Sequence, residues 1–334
     1  MTAAAPSLSP NIEPFLFSLE ALADATGIVR QSFAATPQIA WPLLKERTGA
    51  EVWVKHENHL PTSAFKVRGG LVLADALKKG RYGKVPRGII TATVGNHGLS
   101  QTYAGRKAGF AVTIVVPENN NPEKNKALKA LGAELIEAGH DYSAAYDIAA
   151  RIARERDLFV IEPFLPELMR GVATYALEFF TAVPDLDTVY VPIGMGSGIC
   201  GLIRTRDLLK LKTRIVGVVA ENAPAHALSF KAGQVVTTNS AGTFADGVAV
   251  RVPKPEPVAI IHKGADRIVT VGDEEIADAI RFYHEDTHNT AEGAGAVPLA
   301  GLMQERERMK GKKVGVILTG ANIYRPLLAR ILAQ

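Results

Sequence analysis

Residues 88–116 read GIITATVGNHGLSQTYAGRKAGFAVTIVV. The stretch from Gly88 to Thr91 is rich in β-branched residues and has the character of a strand. Asn96 to Ala108 carries helical spacing and opens on asparagine, a preferred capping residue. Ala111 to Val116 is a second apolar, β-branched run. A strand, a glycine-containing loop, a helix and another strand in one short stretch make a βαβ unit, which lays its strands parallel.

The same alternation continues outward. Pro122–Leu131 is predicted helical, Glu134–Glu137 a strand, Tyr142–Arg156 a helix and Leu158–Ile161 a strand. Further on, Thr188–Ile193, Arg214–Val219, Ile268–Val271 and Val314–Leu318 read as strands. Ile199–Lys210, Asp273–His284 and Ile323–Leu332 read as helices between or after them. Upstream, Val52, Trp53 and Val54 mark a short strand over Glu51–Lys55. Ala232–Lys263 reads as irregular, rich in Gly, Pro and Thr, and a loop of that length is usually functional or interfacial. Residues 1–12 read as a polar tail. No internal repeat is present, and the last helix follows the last strand so closely that no appended regulatory domain is expected. The fold class is α/β with parallel sheets, in one large domain or two interlocked ones for 334 residues.

Hydrophobic residues make up 47% and charged residues 22%, ordinary for a globular chain and against disorder. The net charge of +4 comes from scattered Lys and Arg, without the basic stripe that a nucleic-acid surface needs. Cys200 is the one cysteine, so no internal disulfide and no cysteine-based zinc site is expected. Met1–Pro10 lacks the charged and apolar regions of a signal peptide, and no run of about 18 apolar residues occurs. A soluble cytoplasmic protein with no membrane or nucleic-acid partner and a small-molecule ligand is the expectation.

Three segments carry chemistry. In Pro61-Thr62-Ser63-Ala64-Phe65-Lys66-Val67-Arg68-Gly69-Gly70, a lysine sits among apolar and small neighbours, the setting in which its pKa falls and it serves as a Schiff-base amine. A surface lysine at a helix start has the same local look. Thr93-Val94-Gly95-Asn96-His97-Gly98 lies between a strand and a helix, where open α/β sheets place ligands and a helix N-terminus offers N–H groups to an anion. Asn96 would also serve as a plain helix cap there. Gly194-Met195-Gly196-Ser197-Gly198-Ile199-Cys200-Gly201 again joins strand to helix, with glycines that let the backbone wrap a phosphate. Gly196, Gly198 and Gly201, with Glu221 about twenty residues on, equally fit a dinucleotide fingerprint.

Taken together the three segments resemble the fold type II pyridoxal-phosphate (PLP) enzymes, the family of threonine dehydratase and serine racemase. Lys55, Glu57 and Ser63 to Gly69 are similar to its lysine segment, Gly95-Asn96-His97 to its asparagine loop and Gly194–Gly198 to its phosphate loop. Thr243-Phe244-Ala245-Asp246-Gly247-Val248, Glu292-Gly293-Ala294-Gly295 and Leu318-Thr319-Gly320-Ala321-Asn322 are similar to three later signatures. Six ordered matches span nearly the whole chain.

The resemblance implies two α/β domains around a cofactor cleft, with residues 88–165 as a small domain inserted into a large one formed by 1–87 and 166–334. It implies pyridoxal 5'-phosphate as cofactor, joined to Lys66 as the catalytic residue. Phe65 would pack beside the ring, Asn96 would bond its phenolic oxygen, and Gly194, Met195, Gly196, Ser197 and Gly198 would hold its phosphate. Thr319 would bond the pyridine nitrogen. Thr93, Asn96 and His97 would hold the substrate carboxylate. A neutral partner such as Thr319 leaves the ring a weaker electron sink than a carboxylate would, which favours prompt loss of a β-substituent. The implied activity is a lyase that dehydrates a small β-hydroxy-α-amino acid such as threonine or serine to a 2-keto acid and ammonia, with a homodimer as a possible assembly.

Three departures from the family pattern bear on this. Val94 stands where racemizing members carry a serine. Val219 and Ala225 stand where magnesium-binding members carry acidic residues, so no metal site is expected. Gly171-Val172-Ala173-Thr174 replaces a Gly-Gln-Gly-Thr run, which keeps phenylserine and hydroxyaspartate open as substrates. The rival readings are a β-replacement enzyme, disfavoured by His97, a NAD-dependent oxidoreductase using Gly196–Gly201, and a non-catalytic PLP-binding protein, disfavoured by Lys66.

Overall fold

The computed structural model describes residues 10–334. The Met1–Pro10 reading and most of the expected polar tail therefore lie outside the described residues. The strands are β1 Gln38–Ala40, β2 Glu51–His56, β3 Gly88–Ala92, β4 Ala111–Val116, β5 Glu134–Glu137, β6 Phe159–Val160, β7 Thr188–Pro192, β8 Arg214–Ala220, β9 Arg267–Val271 and β10 Lys313–Leu318. They form two sheets, one of six strands in the order β1-β2-β10-β7-β8-β9 and one of four in the order β5-β4-β3-β6. Every pairing is parallel except β1 with β2. Strands β3 and β7 are buried along their whole length, as expected of parallel strands covered by helices on both faces.

The helices before and around the smaller sheet are α1 Leu19–Arg30, α2 Pro42–Thr48, α3 Val67–Lys78, α4 Asn96–Ala108, α5 Pro122–Ala130 and α6 Tyr142–Arg156. Those that follow are α7 Pro166–Ala182, α8 Ser197–Leu208, α9 Ala225–Ala232, α10 Pro255–Gly264, α11 Asp273–Thr287, α12 Gly293–Gln304, α13 Arg306–Met309 and α14 Arg325–Leu332. Helix α12 is buried through ten consecutive residues, Gly293 to Leu302, so it has no solvent face and no amphipathic period.

The region 232–263 is less irregular than its composition implies. Asp246–Val248 is a 3-10 turn and Pro255–Gly264 is helix α10, with proline in its first turn. A proline there costs no hydrogen bond, because the first helical N–H groups have no partner within the helix. Pro257, Val258, Ile260 and Ile261 are the buried residues that hold α10 to the core.

Helix α3 is pressed unusually close to its neighbours. A Cβ on Gly69 would lie 2.7 Å from the Leu168 carbonyl oxygen of α7, and one on Gly70 would lie 2.5 Å from Ser100 Oγ of α4. The twin glycines lower helix propensity by about 1 kcal/mol each, and packing offsets that loss.

Beneath α3 lies a cluster of buried charge. Arg68 is fully buried and bonds Glu57 through Nε at 2.6 Å and Glu178 through Nη1 and Nη2, each at 2.9 Å. Lys55, also fully buried, donates to Glu178 at 2.7 Å and to the Thr36 carbonyl at 2.9 Å. The cluster ties the end of β2, the start of α3 and the middle of α7 into one unit.

Candidate active site

Loops at the carboxyl ends of parallel strands meet in one cleft, the place where open α/β sheets bind ligands. The chain after β2 leads to Lys66 at the N-terminus of α3, and the loop after β10 runs beside it. Ala64 bridges Gly320, the Phe65 amide donates to the Thr319 carbonyl at 3.0 Å, and the Ala321 amide donates to the Ser63 carbonyl at 2.9 Å. From the other sheet, Ser100 of α4 donates to the Lys66 carbonyl at 2.6 Å. The lysine segment is thus held from both sides by main-chain contacts.

The Lys66 amine sits 4.6 Å from the centre of the Phe65 ring. The side chain keeps some exposed surface, but the amine itself is enclosed. Burial lowers its pKa, and the charges of Glu292 and Asp246 oppose that shift only in part.

The Thr93–Gly98 turn is internally braced. Thr93 Oγ1 accepts from the amides of Gly95 at 3.0 Å and Gly98 at 3.3 Å. The amides of Asn96 and His97, first in α4, have no partner within the helix, while that of Gly98 is capped by Thr93. Burial, then the Lys66 charge, push His97 down to about 3, so the ring is neutral. Its Nε2 is buried without a partner.

Asn96 is engaged on both ends of its amide. Its Nδ2 donates to Glu292 Oε1 at 2.5 Å, and its Oδ1 accepts from Asn322 Nδ2 at 2.8 Å. Glu292 is buried, and burial raises its carboxyl to about 7 against the opposing charge of Lys124. Its Oε2 has no partner. A Cβ at position 320 would meet the Glu292 carboxylate, which would then have to shift.

The turn after β7 is tightly folded. Gly196 has φ 102°, a left-handed conformation, and α8 begins at Ser197, two residues before its expected start. A Cβ on Gly194 would strike the Gly247 carbonyl oxygen, and one on Gly196 would lie 2.6 Å from Pro257. No side chain caps α8, so its first N–H groups remain free for an anion. Tyr175, fully buried, donates to the Gly198 carbonyl at 3.0 Å and meets the Phe65 ring edge-on. Thr319 Oγ1 makes only a long 3.4 Å contact to the Ala294 carbonyl and stays available.

These donor sets fit pyridoxal phosphate: an amine of lowered pKa, an aromatic ring beside it, an amide donor, a hydroxyl and an uncapped glycine-rich helix start. Motif reading did not single out Lys124, Asp246 and Tyr175 or give Glu292 and Asn322 a role. Asp246, Glu292 and Asn322 lay inside matched signatures, whereas nothing local marks Lys124. It reaches from α5 to pair with Asp246, and Asp246 and Glu292 keep it charged although burial opposes this.

Comparison with known proteins agrees with this geometry. Residues 29–320 match the family described as pyridoxal-phosphate dependent enzyme. An L-threonine ammonia-lyase of Thermotoga maritima is 32% identical over 319 residues, covering 95% of this chain and 78% of that protein. An L-threo-3-hydroxyaspartate ammonia-lyase of Saccharomyces cerevisiae is 30% identical over 301 residues, covering 90% and 91%. Among solved structures, the processed form of threonine deaminase isoform 2 from Solanum lycopersicum superposes with a TM-score of 0.86 at 26% identity, covering 99% of this chain and 98% of that one.

Proposed function

The chain belongs to the pyridoxal-phosphate dependent enzymes and is an ammonia-lyase among them, and on that premise we propose that it dehydrates a small β-hydroxy-α-amino acid, threonine or serine first, with Lys66 carrying the cofactor. The membership leaves the dinucleotide reading of Gly196–Gly201 without a premise. The observation that carries the proposal is the enclosed amine of Lys66, lowered in pKa and set within the field of Glu292 and Asp246.

Bound pyridoxal phosphate supplies an electron sink that lets a bond at the substrate's Cα break. The residues do the rest. The turn from Gly194 to Gly198 holds the phosphate, with Met195 contributing main chain. Phe65 would lie against the ring, Asn96 would donate to the phenolic oxygen, and Thr319 would meet the pyridine nitrogen without charging it. The free amides of Asn96 and His97 hold the substrate carboxylate, in a turn braced by Thr93. The His97 ring, buried and neutral, serves to shape the pocket. Lys66, as a neutral amine, would take the α-proton and return it to the β-hydroxyl as that group leaves as water.

Residues 88–165 are taken as the small domain of the cleft. The test is a panel of threonine, serine, phenylserine and hydroxyaspartate, read by ammonia and keto-acid release from the purified holoenzyme. Release from threonine or serine at the highest kcat/KM supports the proposal. Preference for hydroxyaspartate or phenylserine moves the substrate, and no release from any of the four rejects it.

A further inference from the structure

A carboxamide has one donor end and one acceptor end of nearly the same shape, so its direction is set by its partners. Asn322 Nδ2 donates to the Thr62 main-chain carbonyl at 2.9 Å and to Asn96 Oδ1 at 2.8 Å. A main-chain carbonyl can only accept. Turning the Asn322 amide over would set two acceptors face to face, at Thr62 and again at Asn96. The direction of Asn322 is therefore fixed by the backbone, and it fixes the direction of Asn96 in turn. Asn96 must keep Oδ1 toward Asn322 and Nδ2 toward the cleft, where one N–H goes to Glu292 Oε1 at 2.5 Å. Its second N–H is then free.

We propose that Asn322 is a positioning residue that sets the polarity of the Asn96 amide, so that Asn96 presents an N–H and not an oxygen to the cofactor's phenolic oxygen. This rests on the reading of Asn96 as the partner of that oxygen. An N–H there stabilises the deprotonated phenolic oxygen and keeps the bound cofactor's absorbance from titrating near neutrality. The anchor is Thr62, in the segment leading to Lys66, so the lysine and the amide are placed by the same stretch of chain.

Two substitutions separate polarity from packing. Asn322→Asp keeps the shape but has no N–H, so it opposes the Thr62 carbonyl and can only accept from Asn96. Asn322→Ala removes the contact and leaves Asn96 free to keep its direction through Glu292. If polarity matters, the isosteric Asp is the worse variant. Cofactor binding should weaken about tenfold or more in Asn322→Asp and only a few-fold in Asn322→Ala, and the pH midpoint of the bound cofactor's visible absorbance should rise further in the Asp variant. An Asp variant milder than the Ala variant on both readouts overturns the proposal and leaves Asn322 a packing residue. Asn96→Asp serves as reference: if it too leaves absorbance and affinity unchanged, the reading of Asn96 itself has failed. Should Asn322→Asp not fold, a crystal structure of the wild-type holoenzyme that resolves the amide hydrogens decides the matter. Asn96 Nδ2 on the phenolic oxygen with Asn322 Nδ2 on Thr62 supports it, and Oδ1 on the phenolic oxygen or Asn322 turned from Thr62 overturns it.

Discussion

Lys66 and Lys124 lie in the field of the same two carboxylates, Asp246 and Glu292, yet their pKa values move in opposite directions. Both amines are buried, and burial alone would lower both. Lys124 escapes because it touches Asp246 directly, whereas Lys66 makes no ion pair and feels the carboxylates only at a distance. One lysine is thus prepared as a neutral amine and the other held as a cation. Lys66→Ala should therefore abolish both the visible absorbance of the bound cofactor and all elimination, with no other lysine replacing it. Borohydride reduction followed by peptide mass spectrometry checks this, and an adduct at Lys124 would count against the assignment.

Glu178 joins two buried cations, Lys55 at 2.7 Å and Arg68 at 2.9 Å. Glu178→Gln leaves those cations short of a charge in a buried site and should cost about 3–5 kcal/mol of stability. Denaturant unfolding of the apoenzyme measures it, and a loss below about 1 kcal/mol would contradict it. Although burial opposes it, the hydrogen bond and charge of Arg68 hold the Glu178 carboxyl below its usual range. Its contribution is present above the ordinary carboxylate pKa and lost as pH falls through the lowered one.

His56 and His226 are both buried, and burial pushes each from 6.5 down to about 4. The unfolded chain takes up these protons near pH 6.5, while the folded chain does so only near pH 4. Stability should therefore fall as pH drops through that window, by about 1.4 kcal/mol per pH unit for each histidine. Glu292, raised to about 7, works in the opposite sense because the folded state binds its proton first. His226→Gln should flatten the apoenzyme's stability profile between pH 6 and pH 4 relative to wild type, and an unchanged slope would remove His226 from the account.

Racemization should be slow beside elimination. By the family resemblance Val94 stands where racemizing members carry a serine, and valine has no proton to give. Deuterium from solvent appearing in recovered substrate of inverted configuration, at a rate near that of ammonia release, would refute this.

No divalent cation should be required. Val219 and Ala225 are buried and supply no side-chain oxygen, and among the described residues no cluster of three acidic, histidine or cysteine side chains is placed to bind a metal. Glu221 nearby is exposed at the end of β8. Activity after exhaustive chelation in potassium-containing buffer should equal that of the untreated enzyme, and a loss restored by magnesium would point to Glu221.

Lys66 stood out only when several segments were taken together, whereas the sequence by itself determined the parallel α/β class and the order of its strands along the chain. Those features are local: β-branched runs, helical spacing and glycine turns are written in consecutive residues. Helices α3 and α12 are among those the sequence did not make legible. Gly69 and Gly70 weaken α3 as a helix, and Gly293, Gly295 and Pro298 weaken α12, which is also apolar all round and gives no periodic signal. Both exist because neighbours need close approach, as where a Cβ on Gly301 would lie 2.8 Å from Val218. Tertiary structure alone decided the environment of the site. Lys124 meets Asp246 across 122 positions of sequence, and Asn322 meets Asn96 across 226. Pairings so distant are set by how the two sheets face each other, and the shifts in pKa and the direction of an amide follow from burial and partners that no local pattern encodes.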